Sequence, residues 1–339
     1  MKVKKIVEDL KPNELSESTK VSMRTRIISA LVGLVVVVPP FLLGDWFFFA
    51  LILAVTIISL FEAVRCGGKK AHFTVWMYLT TIVIGTLMVN WPLLQGLISD
   101  LSYGHAYNYF TSMNISLILT FIGICALFLV VILHDDFTVK HGCYIISMVL
   151  IISIGLQSIL FVRFIPSVVN TEPRDGWFNS FDHFLSCTFA AYGILGTFAT
   201  DIGAYFIGVF FGKHKLNERI SPKKTVEGFF GGIFVSAIVS MGFAFPLAAT
   251  GHPILPGVFD IEHWYNIVTM SLLMPLFATL GDFVFSAIKR TYETKDFGNI
   301  MPGHGGILDR LDSLVFVFAA LALYTSLIYG LTTGGGLLV

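Results

Sequence analysis

The sequence predicts an all-α, polytopic membrane protein of about nine transmembrane helices, with its N-terminus cytoplasmic and its C-terminus outside. Three observations lead there. The 339 residues are 55% hydrophobic and only 13% charged, with a mean hydropathy of +0.80. The apolar residues form continuous runs close to the roughly 20 residues that cross hydrocarbon, without the alternation of a transmembrane β-strand. The basic residues fall on alternate connections between those runs.

In chain order the spans are roughly 27–43, 46–64, 73–90, 114–133, 143–162, 184–211, 228–249, 264–288 and 313–331. Pro39, Pro40 and Gly44 separate the first two by a short turn. The connection 91–112 carries no Lys or Arg, and 163–183 is rich in Pro, Asp and Asn. Lys and Arg accumulate in cytoplasmic connections. With the N-terminus inside, 20 of the 22 basic residues lie inside, leaving only Arg163 and Arg174 outside. A wrong span count would scramble this alternation. The chain therefore divides into a cytoplasmic tail (1–22), a five-span region (23–183) and a four-span region (184–339) that carries the chemistry. No cleavable signal peptide is expected, because the first 22 residues are polar and charged. The four cysteines lack CxxC or zinc-type spacing and read as free thiols.

Acids inside apolar helices are the first sign of function, since an ionisable group at bilayer depth costs about 2.5–3.5 kcal/mol on insertion scales. Asp282, Asp201 and Glu62 are such groups. Ser286 and Lys289 follow Asp282 at i+4 and i+7, so the three share one helix face. Residues 286–313 then concentrate charge between two apolar runs: Lys289, Arg290, Lys295 and Arg310 with Glu293, Asp296, Asp309 and Asp312. Gly303, Gly305 and Gly306 flank His304 and would let backbone N–H groups approach an anion. Asp309 and Asp312 would share a helix face, and Asp282 with Asp309 could hold Mg²⁺, which takes one or two carboxylates plus water and phosphate oxygens. A second cation is compatible with this set. Upstream, Ser221-Pro222-Lys223-Lys224-Thr225 opens the seventh span and forms an anion site at a helix N-terminus. No GxSxG, HExxH or Walker A pattern offers a protein nucleophile or another metal motif. Metal carboxylates plus phosphate-neutralising cations suit phosphoryl or nucleotidyl transfer.

At these residues the chain resembles the phosphatidate cytidylyltransferases. Ser286, Lys289, Arg290, Lys295, Asp296, Pro302, Gly303, His304, Gly305, Gly306, Asp309, Arg310 and Asp312 fit that family's signature without departure. The stretch from Asp201 to Gly228 and the Gly281-Asp282 pair match as well. The resemblance is specific over 201–313; before residue 200 it rests on hydropathy. It implies that CTP and phosphatidic acid give CDP-diacylglycerol and diphosphate with Mg²⁺, at a site facing the cytoplasm; the short tail and small size point to a bacterial plasma membrane, with an endomembrane as the alternative. It further implies Asp282, Lys289, Asp309 and Arg310 as catalytic residues, with Asp282, Asp309 and Asp312 as metal ligands. Ser221, Lys223, Lys224, Thr225, Ser286, Arg290 and His304 would bind substrate. CTP, phosphatidic acid and the bilayer are the expected partners; nucleic acid is not, and a homodimer is compatible with the sequence. Related CTP-dependent lipid enzymes (a polyprenol or phytol kinase, a CDP-archaeol synthase) are the alternatives. A transporter is more remote, because the outer halves of the spans are almost uncharged.

Overall fold

The computed structural model describes residues 17–68, 73–100, 111–133, 138–169 and 180–333. The tail at 1–16, Lys69, Lys70 and Arg174 lie outside them. Among the described residues the chain forms nine long helices: α1 (Glu17–Leu43), α2 (Asp45–Gly67), α3 (Val75–Asp100), α4 (Thr111–Leu133), α5 (Val139–Val169), α6 (Ser180–Phe211), α7 (Val226–Ala249), α8 (Trp264–Thr291) and α9 (Leu308–Thr333). Each covers one of the expected spans. Seven are long and apolar enough to cross a membrane; α3 and α4 contribute the shorter apolar stretches Val75–Asn90 and Phe121–Val130. The protein is an integral membrane protein. Its only sheet among the described residues is a hairpin, β1 (Lys215–Asn217) paired antiparallel with β2 (Ser221–Thr225), between α6 and α7.

The breaks follow from local chemistry. Gly44 takes φ 70°, so a single residue turns the chain from α1 into α2. The last turn of α8 carries Lys289 and Arg290, where cations complement the helix dipole.

Helix α5 is the centre of the bundle, packing on α2, α3, α4, α6 and α9. Ile145, Met148, Ile152 and Leu156 form its buried stripe at helical spacing. Lipid is as apolar as Leu, so helices in a membrane associate through close packing of small residues. The α6–α7 pair, the most extensive in the fold, shows this. A Cβ on Gly203 would sit 2.7 Å from Val235 Cβ, and one on Gly232 would sit 2.9 Å from the Thr200 carbonyl. The α5–α9 crossing is tighter still. A Cβ on Gly155 would lie 2.7 Å from Val315 Cβ and 3.0 Å from its Cα, so no rotamer relieves it. Gly155→Ala is therefore expected to cost about 1–3 kcal/mol, the usual range for overpacking. It should appear as earlier thermal unfolding in detergent; an unchanged melt would mean the two helices part freely.

Arg163, 1% exposed, is buried at the other end of the molecule. Its guanidinium donates to the Phe41 carbonyl at 3.1 and 3.3 Å and stacks near the Phe41 and Phe48 rings. It anchors the C-terminal end of α1. Otherwise α1 is exposed along most of its length, its main helix neighbour being α2.

Candidate active site

The end of the bundle that holds the N-termini of α1, α7 and α9 and the C-termini of α2, α6 and α8 carries the polar residues. Gly281 explains how α8 and α9 meet there. A Cβ at that position would collide with the Asp312 carbonyl oxygen and lie 2.9 Å from the Phe316 ring. Its absence lets the helices close, which brings Asp282 beside Asp312. Asp282 forms an ion pair with Lys224 of β2, whose ammonium also lies 4.9 Å from the Phe283 ring centre. Lys289 Nζ donates to Asp309 Oδ1 at 2.9 Å and lies 4.0 Å from Asp312 Oδ2. Asp201 of α6, Asp282 and Asp312 are within electrostatic reach of one another, with Lys224, Lys289 and Arg310 as counter-charges.

Two buried acids instead organise backbone. Asp309 is 8% exposed, and its Oδ2 accepts from the N–H groups of Phe297 (2.8 Å) and Gly306 (3.0 Å). With Lys289 on Oδ1, both oxygens are engaged. Glu62 of α2 accepts from Ile307 N at 3.2 Å and Leu308 N at 2.9 Å. Helix N-termini leave N–H groups without intrahelical partners, and Glu62 serves those that open α9. Gly298 and Gly306 lie flat against this carboxylate, where any side chain would strike it. The intramembrane acid Glu62 is thus accounted for by capping.

The turn 301–305 is closed by Met301 N to Gly305 O (2.9 Å) and Gly305 N to Met301 O (3.1 Å). Gly303 (φ 77°) and Gly305 (φ 92°) adopt the left-handed backbone it needs. His304 Nδ1 is 2.7 Å from Ser29 Oγ of α1, and Arg310 donates to the His304 carbonyl at 2.6 Å. Beside this turn opens a polar cavity of about 550 Å³, lined among others by Arg26, Lys295, Asp296, Asn299, His304 and Arg310.

The structure therefore brings together Asp282, Lys224, Lys289, Asp309, Asp312, Arg310 and His304. The other residues singled out by the sequence make different contacts or stay partly exposed. Strand side chains alternate, so Lys224 reaches Asp282 while neighbouring Lys223 is exposed. Thr225 caps α7 by accepting from Gly228 N at 3.1 Å. Arg290 donates to the Ile220 carbonyl at 3.4 Å, tying α8 to the hairpin. Ser221 and Ser286 are half-buried. Arg26, Ser29 and Asn299 were not singled out: nothing in the sequence links the start of α1 to a turn some 275 residues later.

The donor chemistry fits a hard divalent cation held by few protein ligands. Among the described residues no three His, Cys, Asp or Glu side chains converge on a metal-holding point. Mg²⁺ does not require that, since it keeps waters and substrate oxygens. Asp282 and Asp312 with Asp201 nearby supply carboxylates, and their present lysine partners are suited to shift onto phosphate.

A bundle of membrane helices that gathers carboxylates, lysines and arginines around a glycine turn defines an integral membrane protein with a charged site at one end of its helices. The family is more specific. The chain belongs to the cytidylyltransferase family, whose model matches residues 24–328. It is 45% identical over 130 residues to the phosphatidate cytidylyltransferase of Bacillus subtilis (strain 168), covering 38% of this chain and 44% of that one. The enzyme of the same name from Staphylococcus aureus (strain COL) is 44% identical over 130 residues, covering 38% and 46%. That of Staphylococcus haemolyticus (strain JCSC1435) is 42% identical over the same length and shares. The matched segment spans somewhat less than half the length of these curated relatives.

Proposed function

We propose that the protein transfers the cytidylyl group of CTP to phosphatidic acid, releasing diphosphate and forming CDP-diacylglycerol. The observation that carries the reading is the convergence of Asp282–Lys224 with Lys289, Asp309 and Asp312 at one polar end of a lipid-embedded bundle. Family membership and the names of the relatives point the same way.

In the proposed reaction an oxygen of the lipid phosphate attacks the α-phosphorus of CTP. A new P–O bond forms there, the bridging oxygen to the β-phosphorus departs with its electron pair, and diphosphate leaves. The attacking monoester is already ionised near neutral pH, so no protein base is needed. Positioning and charge stabilisation do the work. Lys224, Lys289 and Arg310 are the cations placed to meet phosphate oxygens, while Thr225 and Arg290 support the hairpin and helix ends that carry them. Asp282 and Asp312 are the side chains to hold Mg²⁺, and Asp309 is a third ligand only if it releases Lys289. Bound there, Mg²⁺ would neutralise charge on the transferring phosphate. Among the described residues, the helix ends and loops that carry Arg24, Arg65, Lys140, Lys213 and Lys289 fall at this end, which supports a cytoplasm-facing site, and the bacterial relatives support a plasma-membrane location.

The test is direct. Purified protein is incubated with Mg²⁺, phosphatidic acid and CTP labelled at the α-phosphate. Label entering the lipid with release of diphosphate is expected; no label in the lipid, with labelled CDP and a phosphorylated alcohol formed when a polyprenol replaces phosphatidic acid, would overturn the reading in favour of a CTP-dependent lipid kinase. The hairpin adds a graded prediction. A hydrogen bond to a charged group is worth about 1.5–3 kcal/mol. Lys224→Ala should therefore lower kcat/KM about a hundredfold, and exposed Lys223→Ala less than about tenfold. Equal losses would contradict the strand alternation.

A further inference from the structure

We infer that α1 contributes a phosphate-binding residue, Arg26, which completes the cavity beside the 301–305 turn as an anion site for a substrate phosphate. The inference rests on the proposed function for the identity of the substrates, not for the existence of the site.

Four observations support it. The start of α1 lies against the glycine turn: a Cβ on Gly303 would be 2.9 Å from Arg26 Cγ. One turn further on, Ser29 engages His304 Nδ1 at 2.7 Å and fixes the ring. The wall of the cavity sets the cations Arg26, Lys295 and Arg310 against one carboxylate, Asp296. Finally, Arg310 joins the cavity to the acid cluster, since it bonds the His304 carbonyl and also acts electrostatically on Asp201.

The chemistry of these groups selects the ligand. A surplus of positive charge in a cavity of about 550 Å³ suits a multiply charged anion of small-molecule size. Guanidinium groups match phosphate bidentately, which an ammonium cannot do. Arg26 also stands at the polar end of an apolar run reaching from Arg24 to Leu43. A phosphate there could therefore arrive from solution on a nucleotide or from the membrane on a lipid. Both sources present the same phosphate chemistry, and the experiment separates them.

Full-length protein in detergent is compared as wild type, Arg26→Ala, Arg26→Lys and Arg24→Ala, the last a neighbouring cation outside the cavity. The first readout is stabilisation against heat by inorganic diphosphate or by a short-chain phosphatidate, which needs no turnover. The second is the split of KM between CTP and phosphatidate. We expect Arg26→Ala to weaken binding of one of the two anions about tenfold and to raise KM for the matching substrate alone, on the scale of one charged contact. Diphosphate and CTP moving together identify the nucleotide arm; the two phosphatidate measures moving together identify the lipid. Arg26→Lys should recover part of the loss, and Arg24→Ala should match wild type. An Arg26→Ala protein that keeps the wild-type melt, both stabilisations and both KM values within twofold overturns the proposal. So does an Arg24→Ala loss equal to that of Arg26→Ala, which would reduce the effect to surface charge. If wild type shows no cytidylyl transfer yet is stabilised by diphosphate through Arg26, the activity reading falls and the anion site stands.

Discussion

Asp282→Asn is expected to lower cytidylyl transfer about a thousandfold while leaving the protein folded. The substitution keeps the shape of the side chain and removes its charge. Lys224 then loses its counter-charge, and the site loses a carboxylate for a divalent cation, a loss on the scale of removing a main electrostatic group from an active site. The fold should survive it, because Lys224 is 30% exposed and can turn its ammonium to water once its partner is neutral. Transfer of α-phosphate label and a thermal melt, run on the same preparation, check both halves. Substantial activity at matched Mg²⁺ would remove Asp282 from the metal assignment. Asp309→Asn makes the useful contrast. Asp309 is surrounded by donors: Lys289 Nζ and the N–H groups of Phe297 and Gly306. An amide nitrogen in that nest must face one of them, so this variant should lose stability as well as activity.

Glu62→Ala is expected to be the most destabilising single change at this end of the molecule, at about 3 kcal/mol or more. It removes two bonds to a buried carboxylate and leaves the N–H groups of Ile307 and Leu308 without a partner. It also opens a void, since Gly298 and Gly306 are shaped around the missing side chain. The measurement is the temperature at which half the detergent-solubilised protein is lost from the monodisperse peak. Glu62→Gln should fall between, because its amide nitrogen meets a donor while its oxygen keeps one bond. A melt unchanged in Glu62→Ala would mean that α9 starts without help from α2.

These two acids mark how far the sequence could be read. Hydropathy suffices for the existence and order of nine helices, because bilayer thickness acts locally along the chain; it misses where α1, α3 and α5 run on past the apolar stretch as helix. The cluster around Asp282, Lys289 and Asp312 was legible for a related reason: helical spacing and short loops keep its members close in sequence. Rank by cost was less informative. Asp282 and Glu62 look alike as acids within apolar helices, yet one pairs with a lysine in an open site and the other caps a helix 245 residues away. Nothing local distinguishes them, since the difference lies in which backbone folds back against each. The same holds for Arg26 and Ser29, which meet the glycine turn only through tertiary packing. Asp309 shows a third case. Its place in the motif marks it as important, but only the three donors around it reveal that it holds the loop together.

The apolar run of helix α1 is attached at its two ends, to the glycine turn by Arg26 and Ser29 and to Arg163 through the Phe41 carbonyl, and is mostly exposed between. Its apolar run from Arg24 to Leu43 is 20 residues, about 30 Å at 1.5 Å per residue and close to the thickness of a bilayer core. In a bilayer, lipid tails would surround that exposed length. A helix seated this way takes its depth and tilt from the membrane as much as from the protein, because mismatch with hydrocarbon thickness is met by tilting or by sinking. The height of Arg26 above the turn at 301–305 is in that sense a gauge of the bilayer, and a thinner or thicker membrane changes its reach before it disturbs the packed helices behind.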